Sequence, residues 1–185
     1  METIIQWRQK YYKQVDATHM CDESQHVQNA FIYCYGPLLE AVNYHALFKD
    51  SKDFVDMPLK NSPDDTQKAF DKQFGVNIHP EDIDPIQLNI FVEAYFSKAG
   101  SELINCTPSD WTEFPAKIMS IQDPKMREWA LNLNRIWKTL CKRVLPEIAN
   151  QVDRYSLIYM PYEFIAPGGR FRELYYWDAT GSLKV

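Results

Sequence analysis

The sequence DPKMREWALNLNRIWKTLCKRV, residues 123–144, decides the fold class of this chain. Asp123 and Pro124 are typical of the start of an α-helix, and Pro146 lies where a helix must end. Between them the apolar residues recur at i, i+3, i+4 and i+7, the spacing of one helix face. These residues are Met126, Trp129, Ala130, Leu133, Ile136, Trp137, Leu140, Cys141 and Val144. We therefore predict a single helix from Asp123 to about Val144, with Trp129 and Trp137 in the core.

Other segments carry the same kind of helix signals. A proline at position 37, 63 or 85 suits the first helical turn, because its missing N–H would have no partner there. Ser62 is a good N-cap, acidic residues follow Pro63, and Gly75 is a typical stop. The predicted helices run over residues 37–49, 63–74 and from 85 until Gly100. A short segment at 155–160 favours a strand, and hardly any other does, so the sequence predicts an all-α fold with long connectors.

The composition limits the classes of function. A chain of 185 residues fits one domain or part of a larger one. Its net charge is −5 and its Lys and Arg residues form no cluster, so a nucleic-acid surface is not expected. No apolar run reaches the length of a transmembrane helix. Residues 1–15 carry several charges and no apolar segment, so they are not expected to form a signal peptide.

The cysteines and histidines show no metal-binding pattern. The cysteines stand at positions 21, 34, 106 and 141, and no two have CxxC spacing. The sequence leaves open whether Cys21 and Cys34 form a disulfide or remain buried thiols. The histidines, at positions 19, 26, 45 and 79, are scattered and are expected at the surface or in the core. The acidic runs are typical of solvated loops and helix starts, with calcium binding as the alternative, so no metal site is predicted.

A short modification pattern occurs at Asn105-Cys106-Thr107, which matches the acceptor sequence for N-linked glycans. Pro108 follows directly and is expected to lower occupancy. Because the pattern is short, a chance match is the competing interpretation.

The stretch PGGRFRELYYWD, residues 167–178, combines the side chains of a binding site. Its two adjacent glycines tolerate positive φ and allow close approach of a ligand or another segment. Arg170 and Arg172 point the same way if the segment is extended. Arg and Asp bind hydroxyl groups through charge-assisted hydrogen bonds, and a Trp ring offers a flat apolar face. The combination indicates a site for a polyhydroxylated ligand; the alternative is a turn with a structural ion pair.

The same stretch resembles the first signature of the trehalases. The resemblance extends to IYCYGPLLEAV at 32–42, KDSKDFVDM at 49–57 and LNLNRIW at 131–137, in the order and spacing of animal-type trehalases. It covers residues 31–178 and leaves a polar N-terminal extension at 1–30 and a divergent tail at 179–185. The resemblance implies an α/α toroid of six helical hairpins, of which this chain holds the N-terminal part. It also implies hydrolysis of α,α-trehalose to two glucose molecules with inversion at the anomeric carbon.

The resemblance assigns roles to individual residues of the signature. The family's sugar-binding arginine corresponds to Arg170, and its Trp-Asp pair corresponds to Trp177 and Asp178. These three are the expected substrate-binding residues. The residues expected to support the site without touching the ligand are Gly168, Gly169, Arg172 and Glu173.

The chain departs from the family pattern after Asp178, where it reads ATGSLKV instead of Ser-Tyr and an apolar helix. In the family, the general acid (an Asp) and the general base (a Glu) lie far downstream. We therefore nominate no catalytic residue and predict that the 185-residue chain alone is inactive. The alternative is a non-catalytic truncated isoform or degenerate paralogue with at most weak sugar binding.

The expected ligand is the disaccharide trehalose, and its hydrolysis needs no cofactor. The family resemblance suggests a secreted or membrane-anchored protein, whereas residues 1–15 show no signal peptide. The location therefore stays open at the level of the sequence.

Overall fold

A computed structural model describes residues 28–175, and helices predominate in it. The α-helices are α1 (Ala30–Tyr33), α2 (Pro37–Tyr44), α3 (Ser51–Val55), α4 (Pro63–Phe74), α5 (Pro85–Tyr95), α6 (Ala116–Met119) and α7 (Pro124–Leu140). Short 3-10 helices cover Pro80–Asp82, Pro146–Asn150 and Val152–Arg154. The strands are β1 (Leu103–Asn105), β2 (Cys141–Val144) and β3 (Phe164–Ile165), so the predicted helical class is confirmed with a small sheet added.

The described residues form two compact units. The first comprises 28–101 together with Asn150–Leu157, and its core is rich in aromatic side chains. Phe70 of α4 and Phe91 of α5 are both buried, with ring centroids 5.6 Å apart in an edge-to-face arrangement. Phe91 also stacks on Tyr95 at 4.4 Å. Such ring pairs add to the stabilisation from apolar burial, and the Phe70–Phe91 pair joins α4 to α5.

The helix starts in this unit follow the sequence signals. Ser62 Oγ accepts a hydrogen bond from the N–H of Asp65, and the Asp84 carboxylate accepts one from the N–H of Ile86. Helix α4 has the predicted bounds and ends at Gly75, where φ is +107°. The predictions for the ends of α2 and α5 were wrong, since these helices stop at Tyr44 and Tyr95.

Helix α5 ends early because the backbone beyond it pairs with another segment. The N–H of Ser97 donates to the carbonyl of Pro58 at 2.7 Å, and the N–H of Lys60 donates to the carbonyl of Tyr95 at 2.9 Å. A β-bridge between Leu59 and Phe96 lies between these bonds. This long-range pairing replaces the helical bonds that the local pattern predicted.

The predicted strand at 155–160 was wrong, because none of these residues lies in a strand. Residues 150–157 belong to the first unit. Polar side chains bind this segment instead. Asn29 Nδ2 donates to the carbonyls of Asp153 and Tyr155, at 2.9 and 2.7 Å. Ser156 Oγ donates to the carbonyl of Val55 at 2.6 Å. Asn29 is itself buried, so these bonds also satisfy a polar group that would otherwise be costly to bury.

The second unit comprises residues 102–149 and 158–175 and contains α7 and the three-stranded sheet. The strands are antiparallel in the order β1-β2-β3. Helix α7 ends at Leu140 and not at Val144, because residues 141–144 pair with β1 on one side and β3 on the other. The Leu140 carbonyl accepts a bond from the N–H of Ala166 at 2.9 Å. Tertiary pairing therefore overrides the helical pattern at this end.

The apolar face of α7 is largely exposed in the described residues. Trp129 and Trp137 are 59% and 44% exposed, and no residue of α7 is buried. The prediction that these two tryptophans lie in the core was therefore wrong for this structure. Helical spacing shows that a face is apolar, but it does not show which segment covers that face.

A disulfide joins Cys106 and Cys141 across the start of β2. The sequence had raised a Cys21–Cys34 pair as one option, and Cys21 lies outside the described residues. Cys106 and Cys141 are 35 positions apart, and only the pairing of β1 with β2 brings them together. None of the helices in residues 28–175 is long and apolar enough to span a membrane.

Candidate active site

The signature at 167–178 begins where the small sheet ends. In the register of β2 and β3, Ile165 lies opposite Cys141 and Phe164 lies opposite Lys142. The N–H of Ala166 then donates to the carbonyl of Leu140, so the chain stays attached to the end of α7. Phe164 and Ala166 are buried. Hydrogen bonds therefore fix the backbone of this segment as far as Ala166, the residue before Pro167.

Gly168 makes the turn that follows. Its φ is +124°, a backbone conformation that residues other than glycine rarely adopt. Its N–H donates to the carbonyl of Ala166 at 2.8 Å. An ideal Cβ at Gly168 or Gly169 would meet no heavy atom of the described residues within 4 Å. At Gly168 the structure therefore requires glycine for its backbone conformation, and among the described residues it shows no close approach of another segment.

The turn presents Arg170 to solvent. The Arg170 guanidinium lies 5.3 Å from the centre of the Phe171 ring, and Phe171 packs edge-to-face on Tyr175 at 5.2 Å. Contact with an aromatic face is favourable for a cation and restricts its side-chain freedom. Arg172 and Glu173 are half-buried. The structure thus describes five of the seven predicted site residues. Among the three charged ones, Arg170 is the most exposed.

Trp177 and Asp178, the other two predicted substrate-binding residues, lie outside the described residues. Their proposed roles therefore rest on the sequence. The described part of the site consists of a cation, an aromatic pair and a glycine turn that follows a sheet strand.

A comparison with known families shows to which family this chain belongs. The family model described as Trehalase matches residues 46–180, which include the helices α3 to α7, the sheet and the signature. The chain belongs to the trehalase family. The family resemblance read from the signature is therefore confirmed.

Individual trehalases match over most of this chain. The trehalase of Oryctolagus cuniculus is 45% identical over 150 residues, which are 80% of this chain and 25% of that protein. The trehalase of Homo sapiens is 43% identical over 148 residues, again 80% and 25%. That of Arabidopsis thaliana is 33% identical over 138 residues, 73% of this chain and 22% of that protein. The chain thus spans about a quarter of the length of these trehalases.

A second group near the trehalase signature was not found from the sequence. The sulfur atoms of Cys106 and Cys141 and a carboxylate oxygen of Glu163 lie within 4.8 Å of one another. The sulfur atoms are bonded to each other, and Glu163 accepts a hydrogen bond from Arg143 on the neighbouring strand. A thiolate, not a disulfide sulfur, is the usual metal ligand, so this group acts as a cross-link and an ion pair in the structure.

The signal for that group was weak in the sequence. Leu103 to Asn105 and Cys141 to Val144 are short segments, and the second continues the helical pattern of α7. Pairing of the two segments follows from the sequence only if Cys106 and Cys141 are partners, which is one of several pairings that four cysteines allow.

Proposed function

We propose that this chain supplies one wall of the sugar-binding pocket of a glycosidase that hydrolyses trehalose to two glucose molecules. The observation that supports this most directly is the exposed Arg170 on a glycine turn, inside the segment that matches the trehalase family. The Arg170 guanidinium would donate charge-assisted hydrogen bonds to sugar hydroxyls. Asp178 would accept from hydroxyls, and Trp177 would cover an apolar ring face. Gly168, Gly169, Arg172 and Glu173 would hold this wall in position.

The reaction proposed is hydrolysis with inversion. It requires a general acid that protonates the glycosidic oxygen and a general base that activates water on the opposite face of the ring. In the family resemblance both carboxylates come from positions downstream of the signature. We therefore propose that residues 1–185 bind sugar weakly or not at all alone, and that hydrolysis needs the downstream carboxylates. The α/α toroid of six helical hairpins remains the proposed fold of the complete glycosidase.

A chimeric enzyme tests this proposal. Residues 31–178 replace the matching segment of the Oryctolagus cuniculus trehalase, and glucose release from trehalose is measured together with the anomer formed first. We expect activity with inversion from the chimera and none from the 185-residue chain. A soluble, folded chimera that releases no glucose would contradict the proposal and favour a degenerate, non-catalytic chain.

The role of Arg170 has its own test within the chimera. Arg170→Lys keeps the positive charge but removes the forked arrangement of N–H donors. Lysine is therefore not equivalent to arginine at a site that binds hydroxyl groups. We expect kcat/KM for trehalose to fall roughly 10- to 100-fold, because a hydrogen bond to a charged group contributes about 1.5–3 kcal/mol. Arg135→Lys is the matched control, since Arg135 is exposed and bonds to Asn132 on its own helix. Equal losses in the two variants would argue against a sugar contact at Arg170.

A further inference from the structure

We propose that Asn105 is an acceptor for an N-linked glycan and that the glycan is attached before strand β1 pairs with β2. Asn105-Cys106-Thr107 is the one acceptor pattern of this type in the 185 residues. Both Asn105 and Thr107 are exposed in the folded chain. This inference does not depend on whether the protein hydrolyses trehalose.

The position of Asn105 suits a glycan. Asn105 is the last residue of β1, and β1 is an edge strand, since among the described residues it pairs only with β2. Its neighbour Ile104 is 42% exposed. An uncovered edge with apolar side chains is prone to pair with other chains, and proteins commonly protect such edges. A bulky, solubilising glycan at Asn105 would shield this edge without displacing any buried side chain.

The disulfide points to the compartment in which such a modification occurs. Disulfides form and persist in oxidising environments such as the lumen of the endoplasmic reticulum, and they are rare in the cytosol. Cys106, the central residue of the acceptor pattern, is one half of the Cys106–Cys141 disulfide. The same short segment therefore contains both the acceptor asparagine and a disulfide cysteine, and the disulfide is typical of an oxidising compartment.

The fold also implies an order of events. In the sheet, Asn105 lies opposite Lys142, whose Nζ donates to Asn105 Oδ1. The N–H of Cys106 donates to the carbonyl of Cys141 at 3.2 Å. Sheet pairing thus fixes Asn105 at the end of β1, and a backbone hydrogen bond and the disulfide fix Cys106 beside β2. Transfer instead requires the acceptor segment to fit into the active site of a transferase. Glycan transfer must therefore precede closure of this part of the sheet.

The transfer itself is balanced by a lipid-linked oligosaccharide diphosphate as donor. A bond forms between Asn105 Nδ2 and the anomeric carbon of the sugar, and the bond from that carbon to the diphosphate oxygen breaks. The lipid diphosphate leaves with the bonding electron pair, and one proton of Nδ2 passes to a base of the transferase. No oxidant or reductant takes part. Formation of the Cys106–Cys141 disulfide competes with this step only by shortening the time during which Asn105 is accessible.

Expression of the full chain behind a secretion signal in eukaryotic cells tests the site. The wild type is expected to give a fraction of slower-migrating protein that an amidase specific for N-glycans removes, converting Asn105 to Asp. Asn105→Gln and Thr107→Val should lack this fraction, whereas Thr107→Ser should retain it. Absence of the glycan from the wild type and from the cysteine variants described next would overturn the proposal.

Two cysteine variants test the order of events. Cys141→Ser leaves the acceptor pattern intact and removes the disulfide, and Cys106→Ser does the same while keeping an Asn-Ser-Thr pattern. Both are expected to raise the glycosylated fraction above that of the wild type, because the acceptor stays accessible for longer. Equal occupancy in the wild type and both variants would contradict the proposed competition with disulfide closure. The glycan is added to the nascent chain, so the readout does not require these variants to reach the native fold.

Discussion

Gly36 shows at the scale of one residue why the start of α2 admits a single amino acid. Its φ and ψ are +102° and 164°, a region that is essentially restricted to glycine. An added Cβ would also lie 2.3 Å from the backbone oxygen of Phe31, which cannot move without shifting α1. Gly75 has a similar φ of +107°, but an added Cβ there would meet no described atom within 4 Å. A side chain at Gly75 would therefore meet conformational strain alone, whereas one at Gly36 would meet both strain and a steric conflict.

We expect Gly36→Ala to lower the free energy of unfolding clearly more than Gly75→Ala does. Each carries the backbone strain of about 1–3 kcal/mol for an unfavourable φ, and only Gly36→Ala adds the conflict with Phe31. Chemical denaturation of the two variants beside the wild type measures the difference. Indistinguishable midpoints would show that the segment around Phe31 relaxes at little cost.

At the scale of secondary-structure elements, the main result is the conversion of residues 141–144 from the predicted end of a helix to the central strand of a sheet. The N-terminal part of α7 follows its local signals: the Asp123 carboxylate accepts bonds from the N–H groups of Lys125 and Met126. At the C-terminal end, Cys141 and Val144 are buried within the sheet and not on a helix face. Hydrogen bonds to two strands and one disulfide outweigh the continuation of α7 by a single turn.

The disulfide is expected to stabilise this sheet substantially. Closing a loop across 35 positions removes enough freedom from the unfolded chain to contribute about 4 kcal/mol in the chain-entropy treatment. The double variant Cys106→Ala/Cys141→Ala should therefore unfold at a lower denaturant concentration than the wild type. Amide exchange at Ala166 and Gly168 should also accelerate, because both lie just beyond the strand that pairs with Cys141.

A reducing agent supplies the control for this experiment. Reduction should lower the stability of the wild type towards that of the double variant and leave the double variant unchanged. A wild type whose unfolding midpoint does not respond to reduction would contradict a stabilising role for the cross-link.

At the scale of the whole molecule, apolar surface is distributed unevenly. Phe70 is completely buried in the first unit, whereas Trp129 on α7 in the second is 59% exposed. Exposed aromatic side chains on one helix face contribute little to the stability of this chain, although they would contribute strongly if another segment covered them. We therefore expect the face of α7 to be covered when residues 31–178 are placed in the chimeric enzyme.

A matched pair of truncations tests this interpretation. Phe70→Ala should cost about 3–5 kcal/mol in the 185-residue chain, as for other buried aromatic residues. Trp129→Ala should change the stability of the same chain by roughly 0.5 kcal/mol or less, as is usual for surface positions. In the chimeric enzyme, Trp129→Ala should become strongly destabilising. A large loss from Trp129→Ala in the isolated chain would show that its face is already covered.

The sequence by itself determined the features that depend on neighbouring residues. The helix starts at Pro63, Pro85 and Pro124 and the stop at Gly75 follow from capping and from the backbone preferences of proline and glycine, which act within a turn or two. The family also follows from the sequence, because the signature at 167–178 keeps a long run of residue types in a set order. The placement of Arg170 for sugar binding remains a prediction from that signature.

Only the tertiary structure decided the features that depend on distant residues. The early ends of α5 and α7, the three-stranded sheet, the Cys106–Cys141 disulfide and the exposed face of α7 all depend on which segments meet in space. Hydrophobic periodicity shows that a face can be buried, and backbone groups can bond to any partner with the right geometry. Which partner they obtain is decided by the free energy of the whole packed chain, to which a local pattern contributes only part.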